Sequence, residues 1–209
     1  MQRIGARSIP VLSRGDEFVF AQNIAQVVAF LKLDEKTGPV LAPAQLVERL
    51  TRFLDAALQI VPLMPDDKLA AEVPNRPRAY RRLAHHMFRI PEAFLETAAG
   101  AYFSHELAGM VPRPEDMAST AALAAYGRAV LEQDRRWWAG TGDKGCQQIV
   151  ETYYGPQKLH EVLERTTWHI GQHNRQWMML LDMAGIAFER PLSDQDFADL
   201  PMPKQVWDG

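Results

Sequence analysis

His169 and His173 stand four residues apart in the run Thr166-Thr167-Trp168-His169-Ile170-Gly171-Gln172-His173-Asn174-Arg175-Gln176. On a helix, four residues amount to one turn and about 40° of rotation, so both imidazoles can point at one ion. Neutral imidazole nitrogen suits zinc, nickel, iron and copper. A solvated helix face would give the same spacing, so helical phase decides. Leu159, Val162, Thr166, His169, His173 and Leu180 fall on one line. Core-type residues hold both ends of that line, which puts the pair on the face a bundle buries, where a histidine needs a partner. A second segment repeats the arrangement: Leu83, His86, Met87, Ile90 and Phe94 share one face, so His86 points inward. His85 lies about 100° away, toward Arg81, Arg82 and Arg89, and is the alternative to His86. One such ligand from a facing helix completes a three-histidine site with open positions for water or substrate. Thr166, one turn before His169, and Gln176, one turn after His173, are placed to orient the ligands. His160 falls on the outward face, and His105 sits beyond Gly100 near a helix end.

A site of this kind supports two chemistries. It can lower the pKa of a bound water to ~7 for hydrolysis, or deprotonate a small thiol that then attacks an electrophile. Hydrolysis usually wants a general base beside the water. Glu161 and Glu164 share the helix but lie off the ligand line. Cys146, alone in a loop, has no histidine motif to activate it. Trp168, Trp177, Met178 and Met179 could line an apolar pocket, though at helical spacing such residues are more often core. Trp137-Trp138 reads as a helix-end packing cluster. The rival to both enzyme readings is a non-catalytic bundle that binds an apolar ligand or dimerises, with its histidines satisfied by hydrogen bonds.

The elements that must position these residues are mainly α-helical. Leu46, Val47, Leu50, Phe53, Leu54, Ala57 and Leu58 form one apolar stripe that begins after Pro43 and ends before Pro62. Further helices are expected from Arg78 to about Ala99, kinked or divided at Pro91, and from Glu115 to Trp138. Ile149 to Tyr154 reads as a short extended segment. The last long helix is expected from Gly155-Pro156 to about Ala184, with Gly185 as C-cap. This predicts a four-helix bundle over residues 41–209 with an irregular C-terminal tail. Residues 1–40 differ: strand Ser8 to Leu12, turn at Gly15-Asp16, strand Glu17 to Phe20, then a helix capped by Asn23.

The 209 residues carry 23 Lys plus Arg against 26 Asp plus Glu, a formal charge of −3. A slightly acidic chain has no bulk attraction for nucleic acid. One cysteine excludes an internal disulfide and a multi-cysteine zinc site, and a reducing, cytoplasmic setting is expected. No apolar run nears the ~18 residues of a membrane span, and the basic stretch Met1 to Gly15 lacks an apolar signal core. The expected partner is a small-molecule substrate, with a homodimer left open.

Three stretches resemble the DinB-like, YfiT-type superfamily of metal-binding four-helix proteins. Leu83-Ala84-His85-His86-Met87 matches an apolar turn around the first ligand histidine. Tyr153-Tyr154-Gly155-Pro156-Gln157-Lys158-Leu159 resembles the aromatic-glycine approach to the last helix. His169 to Gly185 matches histidine, three residues, histidine, the basic-glutamine pair Arg175-Gln176, an apolar run and a closing glycine. The resemblance implies a divalent metal, often zinc or nickel, on His86, His169 and His173. It also implies kinship with low-molecular-weight-thiol S-transferases and a thiol-dependent isomerase. One departure is local: members often read histidine-arginine-glycine-glutamine where this chain has His173-Asn174-Arg175-Gln176. Residues 7–32 resemble the C-terminal half of a glutaredoxin-type fold without a redox CxxC, a segment that could cradle a glutathione-like peptide or merely pack on the bundle.

Overall fold

Leu46, Val47, Leu50, Phe53, Leu54 and Ala57 are all buried along one face of a helix, α2 (Pro43–Ile60), as their spacing requires. Pro43 occupies its first turn, where a missing N–H costs nothing. The computed structural model describes residues 11–21, 24–35, 37–73, 77–109 and 117–207. Three further long helices follow: α3 (Tyr80–Ala98), α5 (Thr120–Gly140) and α6 (Leu159–Met183). Around the bundle α2 packs on α6, α6 on α3, α3 on α5 and α5 on α2. Consecutive helices α2 and α3 are therefore diagonal, and so are α5 and α6. Each diagonal crossing has to pass over a bundle end, which accounts for the long connections 61–79 and 141–158. The first is pinned in place: Thr120 N–H and its hydroxyl both donate to Asp66 Oδ1, at 2.8 and 2.9 Å.

Local chemistry explains the boundaries that differ from expectation. α5 starts at Thr120 because Ser119 caps it, its hydroxyl accepting from Ala122 N–H at 3.1 Å. Glu115, the expected start, lies outside the described residues. α6 starts at Leu159, after Gln157-Lys158 (β4) has paired antiparallel with Ile149-Val150 (β3). Gly155, at φ +105°, reverses the chain between them. Gly185 ends α6 as expected, at φ +71°, with Ile186 N–H donating to Leu181 C=O at 3.0 Å. α3 runs unbroken through Pro91. The segment after it, which lies between the two helices expected from the sequence, forms a short helix, α4 (His105–Gly109), packed on the flank of α3.

The N-terminal unit has the expected order. β1 (Val11–Arg14) pairs with β2 (Glu17–Phe20), and α1 (Ile24–Leu31) follows with no fully buried residue. Ser8, Pro10 and Asn23 lie outside the described residues. The C-terminal tail is irregular apart from α7 (Asp194–Phe197), and it straps α6. Arg175 donates to Pro203 C=O at 2.8 Å and Gln172 to Val206 C=O at 2.6 Å. No described helix is long and apolar enough to cross a membrane.

Among the described residues, one carboxyl is fully buried in the interior. It belongs to Asp134 of α5, and its Oδ2 accepts a 3.3 Å hydrogen bond from the Thr51 hydroxyl. Desolvation pushes its pKa up to about 6. A carboxyl raised in the folded state binds its proton more tightly than the unfolded chain does. Its ionisation therefore costs stability as pH rises from about 4 through 6. Asp134→Asn is expected to stabilise the protein by on the order of 1–2 kcal/mol at pH 8. Denaturant melts at pH 8 and pH 4 check this: the gain should vanish at pH 4, and a loss of stability at pH 8 would refute it.

Candidate metal centre

α3 and α6 lie side by side, and each presents its inward histidines to the seam. His86, His169 and His173 converge there, with one ring nitrogen from each lying within 4.8 Å of the others. Ring centroids are 4.6 Å apart for His169 and His173, 5.0 Å for His86 and His173, and 5.3 Å for His86 and His169. His173 is the most tightly defined. Its Nδ1–H donates to Gln176 Oε1 at 2.6 Å, while Gln176 Nε2 donates to Val206 C=O at 3.0 Å. The tail thus fixes the glutamine, and the glutamine fixes the tautomer, leaving His173 Nε2 as a bare lone pair. That nitrogen is buried and has no hydrogen-bond partner among the described residues. An orphaned buried acceptor facing two other imidazoles fits a metal ion better than it fits a hydrogen-bonded core.

Electrostatics keep the three rings neutral. Burial first, then neighbouring positive charge, holds His86 and His169 well below the usual histidine range. Burial brings His173 down to about 4, although the Gln176 bond opposes it. The Arg78 guanidinium bears on all three rings, and Arg165 on His169. Neutral imidazoles are the form a divalent ion takes up.

No protein-family profile matches the chain, and no curated protein does. Among solved structures it is similar to a DinB-like protein from Bacillus cereus ATCC 10987. That match has a TM-score of 0.56 at 17 % identity and covers 69 % of this chain and 93 % of the other. The chain has a DinB-like fold.

Within this DinB-like bundle the remaining sequence candidates sort themselves. His85, the alternative ligand, is outside the cluster: it is buried toward α5, its ring stacked 5.4 Å from Tyr126. Adjacent helical positions diverge by about 100°, so α3 cannot turn both histidines to the seam. His160 is not free on the outside but half-buried, its Nε2 2.9 Å from Leu41 C=O. Thr166 is buried and lines a cavity beside His86 and His169. Cys146 is buried, and its thiol is pushed up to about 11, so it is a poor nucleophile. Trp177 belongs to the core, donating to Ile60 C=O at 3.0 Å, whereas Trp168 is half-buried against a cavity. Trp137 packs edge-on against Phe94 at 5.0 Å, as a helix-end cluster should.

Two cavities meet this end of the bundle. The smaller, about 250 Å³, opens on His86 and His169 and is also walled by Arg78, Arg165, His105 and Tyr153. The larger, about 670 Å³, lies between the N-terminal unit and α6, with Ile24, Tyr154, Glu161, Glu164 and Trp168 on its walls. Arg165 borders both. The sequence reading missed this residue, although it stands one turn before His169 and on nearly the same face. The sequence placed His105 near a helix end and Tyr153 in the approach to the last helix, and long-range pairing brings the two together. Phe103 N–H donates to Glu151 C=O and Tyr153 N–H to Phe103 C=O, each at 3.0 Å, and the His105 ring then lies 3.7 Å from that of Tyr153.

Proposed function

We propose that His86, His169 and His173 hold a divalent ion, zinc or nickel, and that the chain is a metal-dependent enzyme transferring a small thiol to an electrophile. The observation that carries the reading is the bare, buried His173 Nε2 aimed at two further neutral imidazoles. A divalent ion bound there supplies the charge that turns a thiol into its nucleophilic thiolate at neutral pH. The chain does the rest. Gln176 holds His173 in one tautomer, and Thr166 walls the approach to His169. The thiol proton passes to solvent. The sulfur forms a bond to the electrophilic carbon, and the leaving group departs with its electron pair. A glutathione-like thiol suits the larger cavity, where Glu161 and Glu164 offer carboxylates to an amino group. Thiol chemistry is favoured over hydrolysis because, among the described residues, no carboxylate lines the cavity at the histidines. Hydrolysis is the second reading, and the observation in its favour is His105, a ring nitrogen on that wall able to take a proton from water.

The test is consumption of 1-chloro-2,4-dinitrobenzene by zinc- or nickel-loaded protein with and without glutathione, and after chelation. Turnover that needs both the thiol and the ion is the expected result. Ester cleavage without thiol would favour the hydrolase. Retention of the ion with no turnover in either assay would leave a ligand-binding or dimerising bundle.

A further inference from the structure

We infer that the C-terminal strap, residues 203–207, is a positioning element of the metal centre: the Val206 carbonyl, seated by Trp207, sets the orientation of the Gln176 amide and through it the tautomer of His173, so that strap closure and ion binding favour one another. The coupling to the ion rests on the metal-dependent reading; the control of the tautomer does not.

The strap is held by its backbone. Arg175 donates to Pro203 C=O at 2.8 Å and to Lys204 C=O at 3.4 Å. Gln172 Nε2 donates to Gln205 C=O at 3.0 Å and to Val206 C=O at 2.6 Å, and Gln176 Nε2 to Val206 C=O at 3.0 Å. Four successive carbonyls thus accept from three side chains of α6, spaced i, i+3 and i+4 on one face. A chain end frays unless it is tied down. The tie here is Trp207. Its indole N–H donates to Met179 Sδ at 3.1 Å, and its half-buried ring packs on the bundle core.

Gln176 belongs to two rows of α6. One row is His169, His173 and Gln176; the other is Gln172, Gln176 and Met179. The strap therefore meets the ligands at this residue. Its amide has a donor side and an acceptor side. A main-chain carbonyl can only accept, so the side toward Val206 has to be the NH2 group. Oε1 then faces His173 at 2.6 Å from Nδ1 and can only accept, so Nδ1 carries the proton. The lone pair on His173 Nε2 is left bare, as an ion requires. With the strap open, nothing fixes the amide. Turned over, it donates to Nδ1, the ring proton moves to Nε2, and the ligand atom is blocked. An ion binds the closed state better than the open one, which shifts the population toward closure. By linkage, the factor by which the strap raises affinity equals the factor by which the ion suppresses strap opening.

Zinc titrations of the full chain, of Trp207→Ala and Trp207→Phe, and of a chain ending at Met202 test this. The shortened chain should bind zinc about tenfold more weakly, as when a ligand loses its supporting bond. Trp207→Ala should show part of that loss, and Trp207→Phe, which keeps an aromatic ring in the seat, less. In a Gln176→Ala background, removing the strap should cost less than about twofold more, because the route is already cut. In the full chain, saturating zinc should slow hydrogen exchange of the Trp207 indole N–H by the same factor that removing the strap costs in affinity. In chelated protein, the nitrogen-15 shifts of the His173 ring should leave the Nδ1–H pattern when the strap is removed. Equal zinc affinity with and without the strap would overturn the inference, as would additive losses with Gln176→Ala or indole exchange indifferent to zinc. If the shortened chain fails to fold, Trp207→Ala carries the same comparisons. Failure of the metal reading looks different: the full chain binds no zinc, yet the His173 tautomer still changes when the strap is removed.

Discussion

Replacing His169 and His173 together with alanine is expected to lower affinity for zinc or nickel by at least about 1,000-fold, because metal-binding free energy is carried by the deprotonated ligands themselves. The wild-type chain, purified without a histidine tag, should retain about one ion, and the double variant none. Gln176→Ala should be graded rather than absolute. It leaves His173 in place but removes the acceptor 2.6 Å from its Nδ1, and losses of roughly 10–100-fold are usual when a ligand's supporting bond goes. Melting temperature gives an independent reading. Zinc in 1,000-fold excess over its Kd should stabilise the wild type by about 4 kcal/mol and leave the double variant unmoved. The apparent affinity should fall only on acidification below neutrality, because the three rings already stay neutral in the fold and His173 accepts a proton only near pH 4. If zinc neither co-purifies nor raises the melting temperature, the cluster is structural and the proposed chemistry fails with it.

What could be read in advance was whatever helical periodicity encodes. His86, His169 and His173 share stripes with Leu83, Ile90, Val162 and Leu180, so their inward direction follows from spacing, and the fold brings the stripes together. The four bundle helices follow from the same signal. Pairings between distant segments were not legible. Nothing local announces that Phe103 bridges to Thr152, or that Gln157-Lys158 turns back on Ile149-Val150 before α6 begins. The walls of the smaller cavity depend on the first of these. Arg165 differs: its place one turn before His169 was visible, but an arginine near an apolar stripe also reads as a solvated flank. Arg89 is the sharpest case. Its neighbours Arg81 and Arg82 suggest a charged face, yet Arg89 is 1 % exposed. Burial there depends on α4 covering the flank of α3, and α4 lies in a stretch whose composition reads as loop.

Arg89→Met is expected to cost about 3 kcal/mol, enough to lower the melting temperature by roughly 6–12 °C for a chain of this size. The guanidinium ties three elements together. Its Nε donates to Leu107 C=O of α4 at 2.6 Å, its Nη2 to Glu96 at 2.6 Å, and its Nη1 to Glu92. Glu92 in turn accepts from the Tyr126 hydroxyl of α5 at 2.5 Å. Methionine fills the volume but leaves Glu92, which is mostly buried, without its counter-charge, and leaves the Leu107 carbonyl unpaired. Glu96 is about two-fifths exposed and recovers part of its loss from water, which keeps the figure below the largest seen for buried pairs. Arg89→Lys should recover only part, since three N–H groups on one nitrogen cannot reproduce the four donations that the planar fork spreads over Leu107, Glu92 and Glu96. The consequence reaches the site because α4 carries His105 and Ala108 to the cavity wall. Loosening its anchor should speed amide exchange in α4 while zinc affinity, set on the α3–α6 seam, changes far less. Thermal melts with paired amide-exchange and zinc measurements separate the two effects. A melting temperature within 2 °C of wild type would mean that this buried network does not hold α4 in place.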